Sequence, residues 1–300
     1  MVKKTKTSKV FMAFAAGKES TEGAPNKKYI GVAPVFILGV NPGKAELEKL
    51  FKRELENAPE YVGKREADGV STDYVRLDFI IQTDSEKSNG IDLLSKVTFF
   101  LSKTARYNKD KTKVQVINKY GETAWLTPEE IKTKTVPENM SWFDASDIRV
   151  AFSGESELTD FIKAYLNIPN KSYRKKTGEV VVLADLKTAE ARLDKVENYF
   201  KGDVSELKEV LKLQPKNKVK VRFGVKTSSD NKQYQTVDTR KFLKNNVTDY
   251  SKFEDAYQPE DTEFSNDPIR EYVVESTDFT KSPNSPFPDD NASAEPWFNK

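Results

Sequence analysis

The sequence predicts an α+β fold: a small antiparallel β-barrel elaborated by helical insertions and followed by a disordered acidic tail. Three observations predict it. Segments alternating apolar and polar residues, the period of a strand with one face buried, fill much of residues 10–126 and return at 218–242. Between them, over about 128–214, apolar residues recur mainly at helical spacing. Beyond residue 279 the chain is poor in apolar side chains and rich in Pro, Ser, Asn and Asp, a composition that buries too little surface to fold.

Each element follows from local chemistry. Residues 1–9 carry four lysines among Thr and Ser and form a flexible basic arm. Val10–Ala16 is a short apolar strand. The apolar run Tyr29–Val40 is a buried strand, and Pro34 within it predicts an edge position or a bulge, because proline has no N–H for a ladder. Asn41-Pro42 suits a helix start, with Leu47, Leu50, Phe51 and Leu55 on one face. Tyr74–Gln82 alternates, placing Val75, Leu77, Phe79 and Ile81 on one side and Tyr74, Arg76, Asp78 and Ile80 on the other. Ile91–Ser102 is a third strand region. After a polar stretch from Lys103 to Lys113, Lys113–Tyr120 and Glu122–Leu126 pair as a hairpin about Gly121.

The helical block begins with a short helix at Thr127-Pro128-Glu129-Glu130. It continues with Ser156–Asn167, whose apolar face is Leu158, Phe161, Ile162, Tyr165 and Leu166. A strand at Glu179–Leu183 interrupts it, and Thr188–Phe200 and Val204–Leu213 are helices, with Asp203 and Glu206 as a capping box. Lys218–Phe242 is a second hairpin. Its first arm turns Val219, Val221, Phe223 and Val225 one way and Lys218, Lys220, Arg222 and Lys226 the other. Residues 10–257 thus form one domain with an insertion at about 128–214. An acidic extension (258–278) and a disordered tail (279–300) follow.

Composition excludes several functions. The chain has no cysteine and no histidine, so it has no disulfide framework, no thiolate- or imidazole-held zinc and no Ser-His-Asp or Cys-His nucleophile. A cysteine-free chain fits a reducing compartment, and the expected location is the cytoplasm of the host cell. No run of about 18 apolar residues exists, so no membrane-spanning helix is expected. The net charge of +2 conceals a split: residues 249–300 sum to −9 and residues 1–248 to +11. A basic body with an acidic tail points to a polyanion partner and to a tail that competes for the same surface.

The cations and aromatics available for such a partner lie on polar strand faces and in loops. Single-strand binders pair a cationic groove with aromatic platforms. The candidates are Tyr74, Arg76, Phe100, Arg106, Tyr107, Lys109, Lys111, Lys113, Tyr120, Trp125, Lys218, Lys220, Arg222, Lys226 and Tyr234. Phe99 and Phe223 are assigned to the core. Lysines on an edge strand also block edge-to-edge pairing, and both readings of the 218–226 strand stay open at this stage. The tail residues Phe287, Asp289, Asp290, Trp297 and Phe298 place aromatics at the end of an acidic segment, the pattern of a docking peptide. Asp78, Glu129-Glu130 and Asp289-Asp290 supply carboxylates at no spacing that assembles a metal site, so neither a cofactor nor an enzymatic activity is expected.

Three segments resemble a family of single-stranded-DNA-binding proteins of the crAss-like tailed bacteriophages: FILGVNPGKAELE at 36–48, NKDKTKVQVI at 108–117 and FIKAYLNIP at 161–169. The similarity spans about residues 8–275. It implies a class and no individual site residue. The tail departs from the common single-strand-binder ending, for its acids are sparse and Lys300 is terminal. An OB-like barrel is the fold that unites these features, since its sheet face and loops hold single strands. The expected function is sequence-nonspecific single-stranded DNA binding in phage replication or recombination, with replication proteins as partners of the tail. A virion structural or packaged protein is the alternative, because charged arms on β-rich chains also meet packaged genome.

Overall fold

The computed structural model describes residues 27–67, 69–167, 172–174, 180–182, 193–213, 217–253 and 259–273. The first strands and helix are β1 (Tyr29–Val40), α1 (Lys44–Phe51), β2 (Val62–Ala67), β3 (Val70–Thr83) and β4 (Leu94–Ala105). Then come β5 (Val114–Asn118), β6 (Thr123–Leu126), α2 (Pro128–Thr133), β7 (Ile148–Val150), β8 (Phe152–Ser153) and α3 (Glu155–Tyr165). The remainder comprises β9 (Ser172–Arg174), β10 (Val180–Val182), α4 (Val196–Tyr199), α5 (Ser205–Leu213), β11 (Val219–Thr227), β12 (Gln233–Val237), β13 (Leu243–Lys244), β14 (Thr262–Phe264) and β15 (Arg270–Glu271).

The main sheet runs β12-β11-β1-β3-β4-β8, antiparallel throughout its named pairings, and curls into a half-barrel. Its register follows the predicted alternation. Phe79 lies opposite Val40 on one side and Val97 on the other, and Val35 lies opposite Val219. The inward side chains Val75, Leu77, Phe79, Ile81, Val97, Phe99, Leu101, Val219, Val221 and Phe223 are all buried. Helices cover this concave face. The Phe161 ring of α3 stands 5.1 Å from Phe79 and 5.3 Å from Phe99, and Phe242 packs on it at 4.7 Å. Aromatic pairs at these separations add to the area they bury. Among the described residues no helix is long and apolar enough to cross a membrane.

A second sheet, β6-β5-β7, has its own core of Val114, Val116, Ala124, Leu126 and Phe143. It is tied to the half-barrel by charge. The fully buried Glu155 at the start of α3 takes both terminal nitrogens of Arg149 from β7, and also the Phe152 N–H. Gly154 fits here for a steric reason: its φ is +88°, and a Cβ on it would meet the Phe100 carbonyl oxygen.

Several expectations change. Pro34 is not at an edge, since β1 lies between β3 and β11; the bulge falls at Leu38, where the register with β3 shifts. Asn41 does not cap α1, whose N-cap is Gly43. It sits at a positive φ and clips the loop to β3, its amide donating to the Arg76 carbonyl and its side-chain oxygen accepting the Asp78 N–H. Glu206 caps no helix of its own; it accepts the N–H groups of Asp194 and Lys195 and the hydroxyl of Tyr199. Within the 128–214 block the strand expected at Glu179–Leu183 is present as β10, and two strands that were not expected, β7 and β8, extend the two sheets. The basic arm at 1–9, the Val10–Ala16 strand and the tail from 279 lie outside the described residues.

Candidate nucleic-acid interface

The cationic face of β11, expected to be open, is neutralised by the protein itself. Arg222 is fully buried; its guanidinium pairs with the buried carboxylate of Asp238, donates to Asn266 at 2.8 Å, and lies against the rings of Phe253 and Phe264. Lys220 is buried and donates to the Val247 carbonyl over the ring of Tyr250. Lys218 pairs with the buried Asp84, and Lys226 with Asp261 at 2.9 Å. Arg222 and Lys220 therefore leave the candidate surface: Arg222 reaches no phosphate without displacing Asp238, Phe253, Phe264 and Asn266, nor Lys220 without leaving Val247 and Tyr250. Edge protection is not their role either. β11 pairs with β1 and β14 on one side and with β12 and β13 on the other.

The open cations lie on the β4–β5 connection. Tyr107 bridges to Val114, closing a hairpin whose tip is Asn108–Lys113. The tip is built by Asn108. Its N–H donates to the Lys113 carbonyl, its carbonyl accepts the Lys111 N–H, and its side-chain oxygen accepts the Lys113 N–H at 2.9 Å. Lys111 takes a left-handed φ of 56° to complete the turn. Lys109 and Lys111 are exposed and Lys113 is half-exposed, and none of the three has an ion pair or side-chain hydrogen bond among the described residues. Tyr107, 58% exposed, stands at the base of this tip.

Arg106 anchors the hairpin. Its guanidinium binds Glu157 at 2.6 Å and Ser156 at 3.1 Å, and lies 5.9 Å from the Trp125 ring centre. Burial alone would raise the Glu157 carboxyl, but bonds from Ser156, the Glu157 backbone N–H and Arg106 outweigh it and hold the group below its ordinary value. An ionised Glu157 keeps Arg106 in place. Arg106 and the half-buried Trp125 thus support the tip from beneath.

A second group sits on the outer face of β3 and β4. Arg76 lies opposite Phe100 and Tyr74 opposite Ser102, so the three predicted residues share one face. Phe99 is buried and Phe100 is 61% exposed, as alternation requires. Tyr74 lies over Gly63, where any larger residue would collide with its ring. The two remaining aromatics stand apart. Tyr120 is in the β5–β6 turn beneath Lys119, and Tyr234 is on β12 opposite Lys226. The tail residues Phe287, Asp289, Asp290, Trp297 and Phe298 lie outside the described residues. Sequence reasoning missed Lys96, which shares Asp78 with Arg76; Lys96 stands on the polar face of β4, a signal that alternation already carried. No group of three or more carboxylates able to hold a metal occurs among the described residues. No protein family, curated protein or solved structure matches this chain.

Proposed function

We propose that this chain is a sequence-nonspecific single-stranded-DNA-binding protein serving phage DNA replication or recombination. The observation that carries the reading is the hairpin tip: three lysines with no ion pair or side-chain hydrogen bond among the described residues, beside an exposed tyrosine. Lysines neutralise phosphates and release counterions, and a tyrosine ring stacks any base, so the pair gives affinity without reading sequence. The curled antiparallel sheet supports an OB-like fold, with helices filling the concave side. On this reading the segments similar to the phage family and the charge split between body and tail have one explanation.

Titration of a fluorescently labelled thymidine dodecamer at about 50 and 200 mM salt tests it. For three or four phosphate contacts on a single strand, affinity falls about twentyfold or more between the two. Absence of binding at the lower salt overturns the proposal. The acidic tail belongs to the same reading, as a docking peptide for replication proteins that competes with DNA. Deleting residues 279–300 is then expected to tighten oligonucleotide binding at low salt, and a weaker complex would count against the tail's assigned role.

A further inference from the structure

Beside the lysine tip, the sheet β6-β5-β7 carries an apolar strip along one edge. Paired residues on neighbouring antiparallel strands project to the same side. Tyr107 pairs with Val114, Val150 with Val116 and Ile148 with Asn118, so Tyr107, Val150 and Ile148 share one side. On that side Val114 and Val116 build the small core, and Ala105 and Ile148 pack against it. Arg106 and Arg149 alternate to the other side, where they meet Ser156, Glu157 and Glu155 of α3. The strip therefore joins the core at both ends and is open in its middle, with Tyr107 58% and Val150 42% exposed.

Single exposed apolar residues are ordinary on protein surfaces. These two are neighbours. Their partners Val114 and Val116 are two positions apart on β5, a rise of roughly 6.8 Å. Bases along a stacked strand repeat about every 3.4 Å, so the separation is about two stacking distances, the room that one flat ring takes with a neighbour on each face. Side chains stand nearly perpendicular to a sheet, which makes Tyr107 and Val150 two walls of a gap. Gln115, between their partners on β5, turns to the other side, so β5 puts no side chain into it. Charge then selects the occupant. Lys109, Lys111 and Lys113 follow Tyr107 within six positions and have no ion pair or side-chain hydrogen bond among the described residues. A polyanion with flat apolar rings uses both features, whereas an apolar peptide uses only the strip.

We propose that Tyr107 and Val150 form a slot for one unpaired base, with the Tyr107 ring on one face of the base and the Val150 side chain on the other, while the lysine tip holds the adjoining phosphates. The inference rests on the single-strand-binding reading above and deepens it in two ways. It adds Val150 as a contact, and it restricts the substrate to a strand whose bases can leave their stack. A base within a duplex cannot enter, because its neighbours cover both of its faces.

The test is a double-mutant cycle on the full chain, with the thymidine dodecamer titrated by fluorescence anisotropy over a salt series. Tyr107→Ala is expected to weaken binding about tenfold. Val150→Ala should weaken it about fourfold, the share of two methylene-sized groups that are already partly buried. Because both residues hold the same base, the double variant should lose roughly ten- to fifteenfold, short of the roughly fortyfold of independent contacts. The slope of log affinity against log salt should stay that of wild type, since no charge changes. In unaltered protein, light-induced cross-linking to a dodecamer with bromouracil in place of thymine should give an adduct at Tyr107. Unchanged binding by Val150→Ala, or losses that simply multiply, overturns the slot and leaves the hairpin reading standing. A Val150→Ala variant that changes only the self-association of free protein in sedimentation also overturns the slot, because the strip then seats a second copy of the chain. A wild type that binds no dodecamer overturns both. The cross-link decides the question where a variant fails to fold: adducts confined to other segments overturn the slot.

Discussion

Replacing Lys109, Lys111 and Lys113 together by alanine is expected to weaken single-stranded DNA binding about a hundredfold near 0.1 M salt. Each phosphate contact on a single strand contributes about 0.7 to the slope of log affinity against log salt, so three contacts contribute about two. At roughly 0.1 M the same count gives about two decades of affinity. The fold should be unaffected. None of the three side chains has an internal partner among the described residues, and Asn108 holds the tip through backbone groups and the Thr112 hydroxyl. A circular-dichroism melt checks the fold, and anisotropy titrations across salt check the slope. Replacing Lys226 should change the slope far less, because Asp261 already neutralises it. An unchanged slope in the triple variant would remove the hairpin from the interface.

What the sequence made legible was whatever depends on near neighbours. Alternation separated Phe99 from Phe100 and put the first in the core and the second in water, because adjacent strand residues face opposite sides. It also put Tyr74 and Arg76 together on the polar face of their strand, whereas the register that sets Arg76 opposite Phe100 became visible only in the fold. Tyr107 stood in a polar stretch with no apolar period, and it is exposed. The failures share a different origin. The cations of β11 read as free because their partners are distant in sequence: Asp84 lies 134 positions before Lys218, and Asn266 lies 44 after Arg222. Asn41 read as a cap because it precedes a helix, yet its bonds run to β3, 35 and 37 residues on. Charge counted along a chain gives the sum over a surface, whereas which charges remain open depends on tertiary pairing. The body's positive balance is therefore concentrated at fewer points than composition implied, and the β4–β5 tip is where three of the open ones meet.

Removing Asp238 should have the largest effect on stability. Its carboxylate and the Arg222 guanidinium are both wholly buried, and Arg240 donates to the same carboxylate from the protein's edge at 2.8 Å. Asp238→Ala leaves Arg222 charged between Phe253 and Phe264 with Asn266 as its remaining side-chain partner among the described residues, and breaking a buried pair from one side destabilises by about 3–5 kcal/mol. Chemical denaturation of wild type and variant measures the difference. The pH dependence follows from the same contacts. Burial alone would raise the Asp238 carboxyl, but the bonds from Arg240 and Arg222 outweigh it and lower the group below its ordinary value. A carboxylate depressed in the folded state contributes fully above its unfolded pKa of about 3.9, and that contribution is lost as pH falls through the folded value. The gap between wild type and Asp238→Ala should therefore be widest near neutrality and narrow in acid below about pH 4. A gap that stayed constant into acid would mean that Asp238 acts through packing alone. A small loss of stability at neutral pH would mean that Arg222 finds water or another partner when its carboxylate is gone. The β11 cations would then again be available to an external anion, and the division between a structural charge network on β11 and a binding network on the hairpin would fail.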